Sequence, residues 1–350
     1  MQSVAKIGGW PLLLGKVTGG SSLSRDEAAA ALADILAGAA TPAQVAGLIV
    51  GLRMKGESVE EITGLASAMM AAAEPLTLPA GTIDIVGTGG SAHRQTHALN
   101  ISTMASIVAA AAGAVVCKHG NRRASSTSGS FDFLEALGVG VELTPAELEA
   151  CVSKIGLGFA FARTFHPAMR HVGPVRAELG IPTVFNVLGP LAHPGRLRRQ
   201  VVGTATPELA STMAQVLQNL GSERAWVVVG DGGIDELSTT GPTEVFEVTP
   251  DVIDRRLVTP REAGVSTIGS LDEVSGGSPA DNAAIFRAIA DGSDHGPRRD
   301  VVVLNAAAGL VVAGLASDLG EGVIAAGRAI DDGRVGAKID DLVAAAGPTT

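Results

Sequence analysis

Tyrosine is absent from this chain of 350 residues, and aromatic residues make up only 3% of it. Ala and Gly dominate instead, which predicts close helix-to-sheet packing over small side chains. Cysteine is nearly absent too. Cys117 and Cys151 form no CxxC pair and meet no matching histidine cluster, which argues against a disulfide framework or a zinc site and suits a reducing compartment. The longest apolar runs, such as Met104 to Cys117, fall short of the roughly 18 residues that a bilayer span needs. No basic segment followed by a long apolar one opens the chain, so no signal peptide is expected. Excess positive charge is also missing: 26 Lys and Arg against 36 Asp and Glu give −10, opposite to a general nucleic-acid binder. These absences predict a cytoplasmic protein with no membrane and no nucleic acid among its partners.

What is present is material for a core, with 46% hydrophobic and 18% charged residues. A chain this long predicts one large domain and a smaller one. Residues 1–80 read as helices. Ser24 caps one that runs to about Leu36, Thr41-Pro42 opens the next, and Ser58 begins a third with Glu60 and Glu61 near its positive end. Pro75, Pro79 and Gly81 then punctuate the chain. Short apolar runs at 83–86, 114–117, 158–162, 184–187, 200–204, 226–229 and 301–305 resemble buried strands. Helical segments such as 104–112, 130–137, 145–154 and 207–219 separate many of them. This alternation predicts an α/β protein with a largely parallel sheet, whose ligands bind beyond the carboxyl ends of the strands.

The glycine- and hydroxyl-rich turns fall at those ends. Gly87-Thr88-Gly89-Gly90 follows a strand, and Asn100-Ile101-Ser102-Thr103 opens an Ala-rich helix. Unpaired N–H groups and the helix dipole suit both to phosphate, although Ser102 or Thr103 serving only as an N-cap is the plain alternative. Lys118 ends a buried run, where a cation is costly without an anion or acid. The stretch from His119 through Gly120, Asn121, Arg122, Arg123, Ala124, Ser125 and Ser126 to Ser130 then carries donors at nearly every position. Two anion sites side by side imply a phosphorylated sugar or a nucleotide. Asp235 and Glu236 repel each other unless a cation intervenes, and magnesium does this in phosphate sites. Arg176 either pairs with an acid such as Glu178 or receives a substrate carboxylate. The cluster Arg196, Arg198 and Arg199 reads as a solvated loop.

Taken together, GTGG with NIST, KHGNRRASSTSGS, HPAMRHVGPVRAELGIPTVFNVLGPL and DGGIDELSTTGPTEV resemble the anthranilate phosphoribosyltransferase family over nearly the whole chain. The family's reaction joins anthranilate to phosphoribosyl pyrophosphate. The resemblance implies a small all-helical domain (1–80 with about 170–195) that forms a homodimer, beside a large α/β domain (81–169 and 196–350). It assigns Gly87, Gly90, Ser91, Thr96, Asn100, Ile101, Ser102, Thr103, the run Lys118 to Ser126 and Ser130 to phosphoribosyl pyrophosphate. Gly87, Asn121, His166 and Arg176 fall to anthranilate; Ser102, Asp235 and Glu236 to Mg2+; Lys118, Asp235 and Glu236 to catalysis. The sequence departs from the family at 91–99, which is longer and lacks an acid. Three alternatives stay open: a sibling transferase with another aromatic amine, a pyrimidine nucleoside phosphorylase of the same fold, and a non-catalytic nucleic-acid-binding relative.

Overall fold

The computed structural model describes residues 3–89, 91, 98–123 and 127–347. Helices Arg25–Leu36, Pro42–Lys55 and Val59–Ala71 begin at Ser24, Thr41 and Ser58. Each start is a capping box, the cap hydroxyl accepting an N–H three residues on while Glu27, Gln44 or Glu61 returns to the cap's own N–H. Glu61 does more. Fully buried, it accepts from Leu23 N (2.8 Å), Ser58 N (2.8 Å) and Lys55 Nζ (2.6 Å), tying the ends of three helices together.

The strands are β1 (Ile83–Gly87), β2 (Val116–Gly120), β3 (Leu157–Phe161), β4 (Arg199–Gly203), β5 (Arg224–Val229), β6 (Thr243–Val248) and β7 (Ile253–Val258). Among the described residues they form one seven-stranded sheet in the order β3-β2-β1-β4-β5-β6-β7. The first five are parallel; β6 and β7 are antiparallel additions at one edge. Side chains alternate between faces as strand geometry requires. Ile83, Ile85, Val201, Trp226 and Val228 join the core beneath helices Ile101–Ala111 and Pro297–Ala313. Val86, Val202, Val227 and Val229 join the opposite core, which takes in the amino-terminal helices and helix Pro207–Asn219. Helices thus cover both faces. Helix Gly173–Leu179 packs on helix Pro42–Lys55, and helix Phe185–Leu191 on helix Val59–Ala71.

Two expected strands are helices. The run 184–187 lies at helix Phe185–Leu191, and 301–305 lies inside helix Pro297–Ala313. From Val301 to Val312 every residue of that helix is buried, so it shows no polar face to betray its period. Arg196 and Arg198 are exposed in the loop before β4, as expected, but Arg199 is not part of that loop. Arg199 begins β4, donates to Ala313 O (3.0 Å), and shares Glu223 with Arg198.

Candidate functional site

Successive strands run outward from β1 through β2 to β3 on one side, and from β4 on the other, so the chain reverses direction between β1 and β4. In an open parallel sheet that reversal opens a crevice at the strands' carboxyl ends. Gly87 ends β1 and Gly203 ends β4, paired in register, and the chain at Asp235 crosses just beyond both. A Cβ on Gly203 would overlap the Asp235 backbone, and one on Gly87 its carboxylate. Glycine is required at both places for this close approach. Gly89 N then donates to Asp235 Oδ2 (2.7 Å).

A crevice of about 250 Å3 lies here. Gly87, Thr88 and Gly89 form one wall; Asn100, Ser102 and Thr103, at the start of helix Ile101–Ala111, form another. Lys118, His119 and Gly120 come from the end of β2, followed by Asn121, Arg122, Arg123, Ser128, Gly129 and Ser130, with Asn186 completing the lining. The helix begins at Asn100, so Ser102 and Thr103 lie in its first turn and neither is its N-cap. Lys118 is 3% exposed and donates from Nζ to Ile85 O (2.6 Å), holding the ammonium between the ends of β1 and β2. Arg122 is turned toward acids: it pairs with Glu135, approaches Asp132 (3.5 Å), and lies 5.7 Å from the centre of the Phe161 ring.

Of the other expected site residues, Ser91, Ile101, His166, Arg176, Asp235 and Glu236 do not line the crevice themselves. Ser91 is buried, and its Oγ has no partner among the described residues. Arg176 lies 3.5 Å from Asn186 Oδ1 and over the Phe185 ring (5.4 Å) rather than on Glu178, so it reaches the crevice through Asn186. Gly90, Thr96, Ala124, Ser125 and Ser126, which the resemblance assigns to phosphoribosyl pyrophosphate, and most of the unusual 91–99 loop lie outside the described residues.

Three buried histidines gather at the crevice, one of them, His119, in its lining. The His119 ring is 5.2 Å from His166 and 5.8 Å from His193. Burial pushes His166 down to about 4 and His193 to about 3. It also takes His119 well below the usual imidazole range, with its two neighbours adding to the shift. All three are neutral at pH 7. His119 Nδ1 lies 3.2 Å from Gly189 O, and Nε2 of both His119 and His166 is buried without a partner among the described residues.

Three supports of the crevice carry no local mark in the sequence. Asn186, in the run Phe185 to Pro190, lines it directly. Asn282, fully buried, donates to Asn100 Oδ1 and Ala98 O (both 2.8 Å), while Ser128 Oγ donates to the same Asn100 oxygen (2.8 Å). Asp84, within β1, is buried and accepts from His119 N (3.3 Å). Burial pushes its carboxyl up to about 7, against the pull of Lys118. Nothing in the local sequence marks Asn282, and Asp84 is hidden inside an apolar strand.

Fold and site together define an α/β transferase with a helical bundle and an anion-binding crevice at the sheet's reversal point. Residues 11–73 match the helical bundle domain of a glycosyl transferase family, and residues 80–335 match its a/b domain. The anthranilate phosphoribosyltransferase of Afipia carboxidovorans is 46% identical over 332 residues, covering 95% of this chain and 97% of that protein. The crystal structure of anthranilate phosphoribosyltransferase from Thermus thermophilus superposes with a TM-score of 0.89 at 42% identity, covering 95% of this chain and 98% of that one. The Saccharomyces cerevisiae enzyme, solved in complex with PRPP and Mg, gives a TM-score of 0.87 at 27% identity over 96% and 97% of the two chains. The chain belongs to the anthranilate phosphoribosyltransferase family.

Proposed function

We propose that the protein transfers the phosphoribosyl group of phosphoribosyl pyrophosphate to the amine of anthranilate, giving N-(5-phosphoribosyl)anthranilate and pyrophosphate in tryptophan biosynthesis. The observation that carries this reading is the crevice at the β1/β4 reversal. It gathers glycine-turn amides, an open helix start and a buried lysine, and it connects through Asn186 to a half-buried arginine. The donor is held by Gly87, Gly90, Ser91, Thr96, Asn100 to Thr103, Lys118 to Ser126 and Ser130. Anthranilate is held by Gly87, Asn121, His166 and Arg176, with the guanidinium on its carboxylate.

Asp235 and Glu236 are both buried, and with the Ser102 hydroxyl they offer only oxygen ligands, the hard donor set that suits magnesium. The glycine at 87 leaves the space that brings the Asp235 carboxylate against the crevice wall. Mg2+ bound by Ser102, Asp235 and Glu236 would neutralise charge on the departing pyrophosphate.

The chain's own groups supply the rest. Lys118 places a positive charge where the leaving group gathers negative charge as ribose C1 becomes oxocarbenium-like. Anthranilate's aryl amine is neutral near pH 7, so its lone pair is free without a strong base. Neutral His119 and His166 leave it so. Arg176 and Asn121 hold the acceptor in line with C1, turning an encounter into an oriented attack.

The small unit comprises 1–80 with about 170–195 and carries a homodimer contact; 81–169 and 196–350 form the large unit. The packing of helices Gly173–Leu179 and Phe185–Leu191 on the amino-terminal helices supports that division. Exposed Leu12 and Met54, on helices Gly9–Thr18 and Pro42–Lys55, support the dimer. A cytoplasmic setting accords with the free, buried Cys117 and Cys151.

The test is to mix protein, anthranilate, phosphoribosyl pyrophosphate and magnesium and follow anthranilate fluorescence. Loss of signal that needs all components supports the reaction. An unchanged signal from folded protein that binds phosphoribosyl pyrophosphate would point to another acceptor.

A further inference from the structure

A second cavity of about 300 Å3 lies on the far side of the histidine group, where the start of helix Arg25–Leu36 and the end of helix Val59–Ala71 meet the sheet layer. None of its lining residues has a part in the transfer reaction. Its apolar side is formed by Met70, Ala71, Leu191, Leu197, Leu217 and Leu220. Arg25 and Arg196 also line it, and neither has an ion pair or side-chain hydrogen bond among the described residues. Together they give one edge of the cavity a positive charge.

Two further features mark it as more than a packing gap. Gln200 and Ser222 line it too, at 3% and 4% exposure, with Gln200 Nε2 donating to Pro190 O (3.3 Å), so the wall carries polar groups among the leucines. Arg196 is also the one non-glycine residue with positive φ (47°) among those described. A side chain held in that conformation is strained, and such strain gathers at ligand sites.

We infer that this cavity is a second ligand site, for a small organic anion with an apolar body. Its carboxylate lies between Arg25 and Arg196, and its hydrocarbon lies against the leucines. Its volume is at the small end of ligand pockets, fit for a single ring or a short branched chain. His193 forms the wall between this site and the transfer crevice. It donates from Nε2 to Cys117 O (2.9 Å) in β2, accepts from Gly195 N at Nδ1 (3.0 Å), and sets its ring edge against His119. A guest touching His193 therefore contacts the residue that abuts the acceptor side.

Benzoate is the probe, with benzamide to remove the charge and acetate to remove most of the apolar body. Binding is followed by saturation-transfer NMR. Arg25→Met with Arg196→Gly should weaken benzoate at this site by about tenfold or more, as expected for losing charged hydrogen bonds. Replacing both by Lys keeps the charge but loses the planar fork, so benzoate should weaken by less than with the Arg25→Met and Arg196→Gly pair. Benzamide and acetate should each bind about tenfold more weakly than benzoate. The comparison is repeated in an Arg176→Ala background to remove benzoate bound on the acceptor side. If Arg176 has no acceptor role, that background simply behaves as wild type and the rim comparison still decides. Both rim changes should fold, since Arg25 is exposed and glycine relieves the backbone at 196. Equal benzoate affinity with and without the rim arginines would overturn the inference, as would acetate binding as tightly as benzoate.

Discussion

Single residues set the chemistry at the β1/β4 reversal. Asp235 approaches so closely because two strands end in glycine, and Gly89 N fixes one of its carboxylate oxygens. Changing Asp235→Asn and Glu236→Gln together keeps shape and removes charge. The fold should survive while turnover drops by roughly 100-fold or more, with the magnesium requirement weakened. Turnover measured against magnesium concentration checks this, and an unaltered profile would end the metal role. Arg176 governs the other substrate. Charged hydrogen bonds contribute about 1.5–3 kcal/mol, so Arg176→Ala should raise KM for anthranilate roughly 10- to 100-fold. KM for phosphoribosyl pyrophosphate should hardly move. Equal rises in both would mean that this arginine supports structure alone.

At the level of elements, the crevice depends on a contact that local sequence does not disclose. Asn282, on helix Pro279–Ala290, satisfies Ala98 O and orients Asn100 at the start of the helix that forms one crevice wall. Asn282→Leu would leave Ala98 O, Gly277 N and the Asn100 amide without this partner, at a cost of about 2 kcal/mol or more. The variant should melt lower and show a raised KM for phosphoribosyl pyrophosphate. Lower melting with unchanged KM would make Asn282 a core residue only. That contrast explains what the sequence allows one to read. Ser24, Thr41 and Ser58 announce their helices because a capping box closes within four residues, and Gly87, Asn100 and Lys118 announce the crevice because turns at strand ends are local. Asn282 acts across 182 residues, and no short pattern signals it. The helix Pro297–Ala313 is buried all round, so its apolar run at 301–305 matches a strand equally well. The edge strand β7 went unseen for the opposite reason: Asp254, Arg255 and Arg256 make it read as a polar loop, although such charges are how an exposed edge is protected.

Across the whole molecule, the buried ionisable groups make stability depend on pH in two opposing ways. His119, His166 and His193 are neutral when folded but take up protons near 6.5 when unfolded. Their contribution is complete above pH 6.5 and is lost as pH falls toward about 4 for His166 and about 3 for His193. For His166 alone that loss amounts to roughly 3 kcal/mol. Asp84 works in reverse. Its folded carboxyl holds a proton up to about 7 whereas the unfolded one releases it near 3.8, so its contribution is greatest in acid and fades as pH rises through that window. Three groups oppose one, so acidification from pH 7 to pH 5 should destabilise the protein. Asp84→Asn removes the opposing group and should steepen the fall by about 1.4 kcal/mol per pH unit, the value for one proton. Urea unfolding at pH 5, 6 and 7 measures both slopes. A wild-type stability that is flat or rises on acidification would mean that the histidines are not held neutral. An unchanged slope in the Asp84 variant would mean that the Lys118 charge keeps that carboxylate ionised in the fold.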